Sequence, residues 1–281
     1  MRFGLTMFAT DLTISITEIA VAAEERGFAS LFVSEHTHLP TSRRSNLPMF
    51  DELPVEYGHT LDPLIALTAA AGATRTLRLG TGVCLLAQRE PIVTAKAIAS
   101  LDLLSGGRFD FGVGFGWNVE EAEDHQVAWS ARRAMVRERV LAMRGLWRDE
   151  IASYDGEHVR FAPSWCWPKP VQAGGPPVLL GGMGGPVLAR HIAEYADGWL
   201  PVGAMSVEYG LPLVRRACEA VGRDPAGLRV VPCGGFPPTP AEVARFHELG
   251  VIDEVVLTVP HAPADTVLRT LDHYVKAYVE A

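Results

Sequence analysis

Glu35-His36-Thr37-His38 sets a carboxylate and two imidazoles within four residues, directly after a run that reads as a strand. An imidazole titrates near neutrality, so a histidine at a strand end can pass a proton to or from developing charge. Two other uses compete with that one. His-x-His in extended backbone puts both rings on one side, as a metal pair requires, but further ligands are then needed on later strands. His191 and His247 fall in helical pattern, and His261 follows the last strand without a suitable carboxylate partner, so no metal is expected. The plainer alternative is a histidine that only caps a loop. The expectation is His36 as a polar group facing a bound cofactor or substrate.

Three glycine-rich segments also stand at strand ends. In Leu79-Gly80-Thr81-Gly82-Val83 two glycines inside a strand suggest a bulge or a close backbone approach. A flat ring lying on that backbone explains both, and so does a packing requirement at a crowded wall. Gly112-Val113-Gly114-Phe115-Gly116-Trp117-Asn118 superficially matches a dinucleotide fingerprint, but its third glycine comes one residue early and the acidic residue is missing. What remains is an exposed strand end followed by an aromatic and an amide, both suited to an aromatic ligand. In Gly181-Gly182-Met183-Gly184-Gly185-Pro186 the backbone N–H groups can converge at a helix start, which favours a phosphate over a plain flexible turn. No Ser-His-Asp set, P-loop or paired catalytic carboxylates fall at matching strand ends. A ligand with a phosphate and a flat polar ring, carrying its own chemistry, fits these segments best.

The elements that must position these residues alternate short apolar strands with longer helices. Strands are predicted at Phe3–Phe8, Ser30–Ser34, Leu77–Leu86, Arg108–Phe115, Pro177–Leu180, Gly198–Val202, Leu228–Val231 and Glu254–Val259. Helices are predicted at Ile14–Arg26, from Asp62-Pro63, at Pro91–Leu104, Ser130–Trp147 and Ala264–Ala281. Strands apolar on both faces and separated by helices give a parallel sheet. Eight such units with no leftover domain predict a single (β/α)8 TIM barrel over 1–281, with its active site at the C-terminal strand ends. Insertions are expected after strand two and between about residues 118 and 172, where Tyr154–Gln172 reads as irregular.

The chain has 281 residues, 48% hydrophobic and 21% charged, with a net charge of −8. That balance supports a large core and argues against nucleic acid as a partner. The cysteines Cys84, Cys166, Cys218 and Cys233 form no CxxC pair, and no signal peptide or membrane-length apolar run is seen, so a reduced cytoplasmic protein is expected.

In combination and order, Arg78–Val83, Leu104–Phe109, Gly112–Asn118, Pro168–Pro170, Pro177–Gly182 and Ala196–Trp199 resemble the bacterial luciferase-like flavin and deazaflavin oxidoreductases. Gly116-Trp117-Asn118-Val119-Glu120-Glu121 is similar to the F420-dependent branch of that family. The resemblance implies a non-prolyl cis peptide at Gly82-Val83 behind the cofactor ring. It implies Thr81, Gly82, Val83, Gly116, Trp117 and Asn118 around the ring, and Gly182, Met183, Gly184 and Gly185 on the phosphate. It also implies that Glu35 and His36 lie near the reacting face, His36 moving a proton while Glu35 orients it or hydrogen-bonds the ring. The activity implied is hydride transfer between the C5 of F420 and a small organic substrate. The alternatives are an FMN-dependent two-component monooxygenase fed by a separate cofactor reductase and, from another class, a non-catalytic flavin-binding protein. Family members are often dimers, so a homodimer is implied.

Two departures narrow the comparison. Some deazaflavin-dependent sugar dehydrogenases carry an acidic glutamate where this chain has Trp117, and Asp-His is common in that branch where Glu35-His36 stands here. Arg43 and Arg44 could meet an acidic cofactor tail or form a solvated surface pair. The loop after strand two and the Tyr154–Gln172 excursion, with Trp165 and Trp167, are candidates for substrate-pocket walls, or else the two tryptophans pack the excursion onto the barrel.

Overall fold

Strands that are covered on both faces lose the polar alternation of a half-exposed sheet, and every central strand of this chain is buried almost throughout. A computed structural model describes residues 1–41, 44–45 and 52–280. In chain order β1 (Arg2–Met7) leads into α1 (Ile16–Glu25), and β2 (Ser30–Val33) into a long loop and α2 (Pro63–Ala73). Next come β3 (Arg78–Thr81), α3 (Pro91–Ser105), β4 (Phe109–Val113), α4 (Val119–Asp124) and α5 (Arg132–Arg148). The hairpin strands β5 (Ala152–Asp155) and β6 (Arg160–Ser164) precede β7 (Val178–Gly181), α6 (Pro186–Tyr195), β8 (Gly198–Leu200) and α7 (Gly203–Ala220). The chain finishes with β9 (Arg229–Val230), α8 (Pro240–Leu249), β10 (Glu254–Thr258) and α9 (Ala264–Tyr274).

The sheet order is β10-β1-β2-β3-β4-β7-β8-β9, all parallel, with registers such as Leu5↔Leu31, Leu31↔Leu79 and Phe111↔Val178. Parallel bridges Val230↔Ile252 and Cys233↔Val256 join the last edge to β10 and close the ring. This is the (β/α)8 barrel expected from the sequence. Phe32, Leu179, Leu200, Val231, Cys233 and Val256 fill its interior, with Val83 packed on top of them. Below them the buried carboxylate of Asp110 is held between Arg78 and Arg229, at 3.0 and 2.8 Å.

Three elements differ from expectation. β3 ends at Thr81 instead of running to Leu86: the Gly82-Val83 peptide is cis, as the resemblance implied, pairing returns only at the Cys84↔Val113 bridge, and Leu86–Gln88 makes a 3-10 turn. The Tyr154–Gln172 stretch is not irregular throughout. Its first part pairs antiparallel as β5 and β6, and the Glu138 carboxylate gathers the N–H groups of Glu157, His158 and Val159 at 3.1, 2.8 and 3.1 Å to hold the turn. Of the prolines that suggested irregular backbone, Pro163 lies within β6, and Pro168 and Pro170 lie beyond the hairpin. The last helix is α-helical only to Tyr274 and continues as a π-helical turn over Val275–Val279. Among the described residues no helix is long and apolar enough to cross a membrane.

Candidate active site at the barrel mouth

The ends of β2, β3 and β4 bring His36, the Gly82-Val83 peptide and Gly116–Asn118 to the same rim of the barrel. His36 is buried, its backbone fixed by Thr60, whose hydroxyl donates to the His36 carbonyl at 2.6 Å. The Trp117 indole N–H donates to His36 Nε2 at 3.3 Å. An indole nitrogen can only donate, so Nε2 accepts and the proton of the neutral ring sits on Nδ1. Nδ1 in turn lies 2.8 Å from Glu121 Oε2. Tyr57 packs between Phe8 and His36, with ring centroids 4.6 and 5.4 Å away.

Glu35 was expected beside His36 or the cofactor ring; instead its carboxylate turns into the wall. One oxygen accepts the Leu85 N–H at 2.7 Å and the other the Arg89 guanidinium at 2.7 Å, while Arg89 also bridges to Asp62 at 2.6 Å. A buried carboxylate beside a half-buried guanidinium is held there by charge, and no contact with His36 is left to it. Burial, then the Glu35 charge beside it, push the Cys84 thiol well above its ordinary range, so it is no nucleophile. The sequence signal for the true partner was available: Asn118 caps α4 by accepting the Glu121 N–H at 3.0 Å, which places the Glu121 carboxylate in the first turn and back toward β2. Tyr57, in a proline-rich loop, had no such signal.

The strand-end glycines divide between packing and presentation. A Cβ on Gly80 would stand 2.3 Å from the Phe32 ring, and on Gly114 or Gly181 2.3 or 2.5 Å from Val83, so these three are small to make room. Thr81 is fully buried and its hydroxyl donates to the Gly112 carbonyl at 2.6 Å, which turns it into the barrel wall rather than the mouth. Gly82 and Val83 are half-buried at the rim. Gly116, at φ +75°, adopts a conformation that favours glycine.

The second cluster, Gly182 to Gly185, joins β7 to α6 with φ of 146, 80 and 154° at its glycines. Gly185 is the N-cap and offers no side-chain cap, so α6 begins with its N–H groups unclaimed by side chains. Met183 projects outward, 71% exposed. These features fit a group with a flat ring and a phosphate: a bare helix start, an uncluttered glycine turn and the buried amide Nδ2 of Asn118, which has no hydrogen-bond partner among the described residues.

Other expected features fall elsewhere. Arg43 lies outside the described residues. Arg44 is committed to Glu120 and Glu123 of α4 at 3.0 and 2.8 Å, a surface ion pair. The hairpin lies along the outer side of α5, and the Trp167 carbonyl accepts from Lys96 on α3, so the excursion covers the barrel's flank and does not wall the mouth. Among the described residues no three His, Cys, Asp or Glu side chains converge to hold a metal ion.

Comparison with known proteins agrees with this architecture. Residues 12–242 match the luciferase-like monooxygenase family, and the chain belongs to that family. It is 43% identical over 269 residues to an uncharacterized protein of Mycobacterium tuberculosis, covering 94% of both. It is 31% identical to the F420-dependent glucose-6-phosphate dehydrogenase of Segniliparus rotundus over 76% of this chain and 61% of that enzyme. In fold it is similar to the monooxygenase RslO1 of Streptomyces bottropensis, with TM-score 0.79, 23% identity and 100 and 99% coverage. An F420-dependent secondary alcohol dehydrogenase aligns with TM-score 0.74, 18% identity and 98% coverage of each chain. The protein is thus an oxidoreductase of the luciferase-like type, built to work with a deazaflavin or flavin.

Proposed function

We propose that this enzyme is F420-dependent and transfers a hydride between the deazaflavin C5 and a small organic substrate. The observation that carries the reading is the Trp117–His36–Glu121 arrangement at the rim that also holds Gly82-Val83 and Asn118. The bound deazaflavin would supply the two-electron chemistry. The chain would bind its phosphate at Gly182–Gly185, meet its ring with Gly82, Val83, Gly116, Trp117 and the free amide of Asn118, and move one proton at His36 Nε2. Relatives named as F420-dependent support the deazaflavin over FMN. The test is His36→Ala: F420 binding, followed by fluorescence, is retained while F420 reduction by a panel of secondary alcohols is lost. Equal loss of binding and turnover refutes the proton role.

The same proposal includes a homodimer. The outward residues of α2 are Ile65, Ala69, Gly72 and Ala73, and those of α3 include Ile92, Val93, Leu103 and Leu104, with Lys96 the one charge between them. A helix apolar all round is normally covered on every side. Helices of 11 and 15 residues span roughly 16 and 22 Å, so side by side they offer on the order of 400 Å² of flat footprint. The exposed Trp165 and Trp167 extend it toward the roughly 800 Å² per partner of a stable interface. A second copy of the chain, pairing like face with like, is the occupant this supports.

A further inference from the structure

We propose that the proton handled by His36 reaches solvent through a built relay, Glu121–Thr37–His125, with His38 and Asp124 as its outer end. The inference rests on the proton role of His36 given above and extends it outward. The contacts form one chain. His36 Nδ1 lies 2.8 Å from Glu121 Oε2, and the other oxygen, Oε1, accepts the Thr37 N–H at 3.0 Å and faces its hydroxyl at 3.4 Å. Thr37 Oγ1 lies 2.7 Å from His125 Nε2 and 3.1 Å from His38 Nδ1, whose Nε2 lies 3.0 Å from Asp124 Oδ2. The path leads from two buried side chains to the exposed Thr37, with His125 half-buried beside it. The His36 and Glu121 side chains are 6 and 1% exposed, those of His38 and Asp124 43 and 60%.

The other sides of the His36 ring offer no exit. Trp117 caps Nε2 with an N–H that cannot accept, the Tyr57 ring packs against the imidazole, and Thr60 binds only the backbone. The remaining charges facing the path from α4, Glu120 and Glu123, are held by Arg44. Each hop breaks one N–H or O–H bond and forms the next, with no electrons transferred. A proton arriving at Nε2 displaces the 3.3 Å Trp117 contact and releases the Nδ1 proton to Glu121 Oε2. The carboxyl turns about its Cγ–Cδ bond and passes that proton to Thr37 Oγ1, as the Thr37 hydroxyl proton moves to His125 Nε2 and the proton on His125 Nδ1 leaves to water. In the reverse direction the same bonds carry a proton inward. Glu121, Thr37 and His125 are positioning and relay groups; only His36 touches the reacting atoms.

The test needs neither cofactor nor substrate. In the histidine-labelled full chain, exchange of the His36 Nδ1 proton with water is measured by NMR in the wild type and in Thr37→Val, which removes the hydroxyl and keeps the backbone N–H on Glu121. The relay predicts that exchange slows by about tenfold or more and that Thr37→Ser restores it. His125→Phe, which leaves the Thr37–Glu121 contacts intact, predicts slowing in the same direction and covers the case in which Thr37→Val does not fold. An unchanged rate in folded Thr37→Val, or in His125→Phe, overturns the relay. Because the protein carries no cofactor in this experiment, that failure is separate from a failure of His36→Ala to lose turnover.

Discussion

His36 and Glu121 stand 85 positions apart in the chain, yet Nδ1 of one lies 2.8 Å from a carboxylate oxygen of the other, both buried. Glu35, the neighbour in sequence, is bonded to Arg89 instead. Two buried acids therefore divide the work at this rim: one braces the wall and one fixes the tautomer of the histidine.

Separate substitutions should distinguish the two acids. Glu121→Ala removes the acceptor of the His36 ring and of the Thr37 N–H, so the His36 Nδ1 proton resonance should shift or vanish, with a loss of about 2–3 kcal/mol in urea unfolding. Glu35→Ala leaves Arg89 with Asp62 alone and the Leu85 N–H without its acceptor, and should cost about 1–3 kcal/mol while leaving that resonance in place. A shifted resonance in Glu35→Ala and not in Glu121→Ala contradicts the geometry.

Val83 and its glycine socket predict a rescue. Gly114→Ala places a methyl 2.3 Å from Val83 Cγ2 and should destabilise the barrel by about 1–3 kcal/mol. The double variant with Val83→Ala should recover most of the loss in Tm. No recovery means the clash lies elsewhere.

The glycine turn before α6 should read out in ligand affinity. Gly185→Val adds a branched side chain at φ 154° beside the bare helix start. FMN and F420 binding, each followed by fluorescence, should weaken by about tenfold or more, and stability should fall by about 1–3 kcal/mol, because this φ strains any L side chain even though a Cβ there meets nothing within 4 Å. Unaltered affinity for both removes the turn from the phosphate site.

Ile65→Glu with Val93→Glu should convert a dimer to a folded monomer in sedimentation equilibrium, because each charge would be buried unpaired. A wild type that is monomeric at all concentrations contradicts the proposed interface.

Acid should unfold the protein partly through two carboxyls. Burial pushes Glu24 up, but N–H bonds from Thr76, Leu77 and Arg75 outweigh it and bring its pKa down to about 2. Burial likewise raises Asp110, and its hydrogen bonds with Arg78 and Arg229 outweigh that and hold it below its ordinary range. Groups with depressed folded pKa values contribute stability above the unfolded value and lose it as pH falls. Tm should therefore drop between about pH 4.5 and 2, and less steeply in Glu24→Gln. An identical slope in that variant contradicts the assignment.

The barrel was legible because its strands are apolar on both faces and its helices carry clear starts, such as Asp62 capping α2. The glycine turn before α6 was legible as a strand-to-helix junction because four glycines fall in five residues and Pro186 follows at the first helical position. The partner of His36 was misassigned because adjacency in sequence favoured Glu35, and alternation in extended backbone turns neighbours to opposite sides. Glu121 becomes its partner only through the path of α4, which the Asn118 cap sets. Thr81 was counted with the ring by proximity to Gly82, but the same alternation buries it in the wall. The tryptophans of the excursion gave no direction at all, since an aromatic near prolines serves a pocket, a flank or an interface equally well.

The central claim is tested most directly by titrating the purified protein with F420 and, separately, with FMN, following the fluorescence of each. The account predicts saturable binding of F420, tighter than that of FMN and weakened by Gly185→Val. Tight binding of FMN with none of F420 would contradict it.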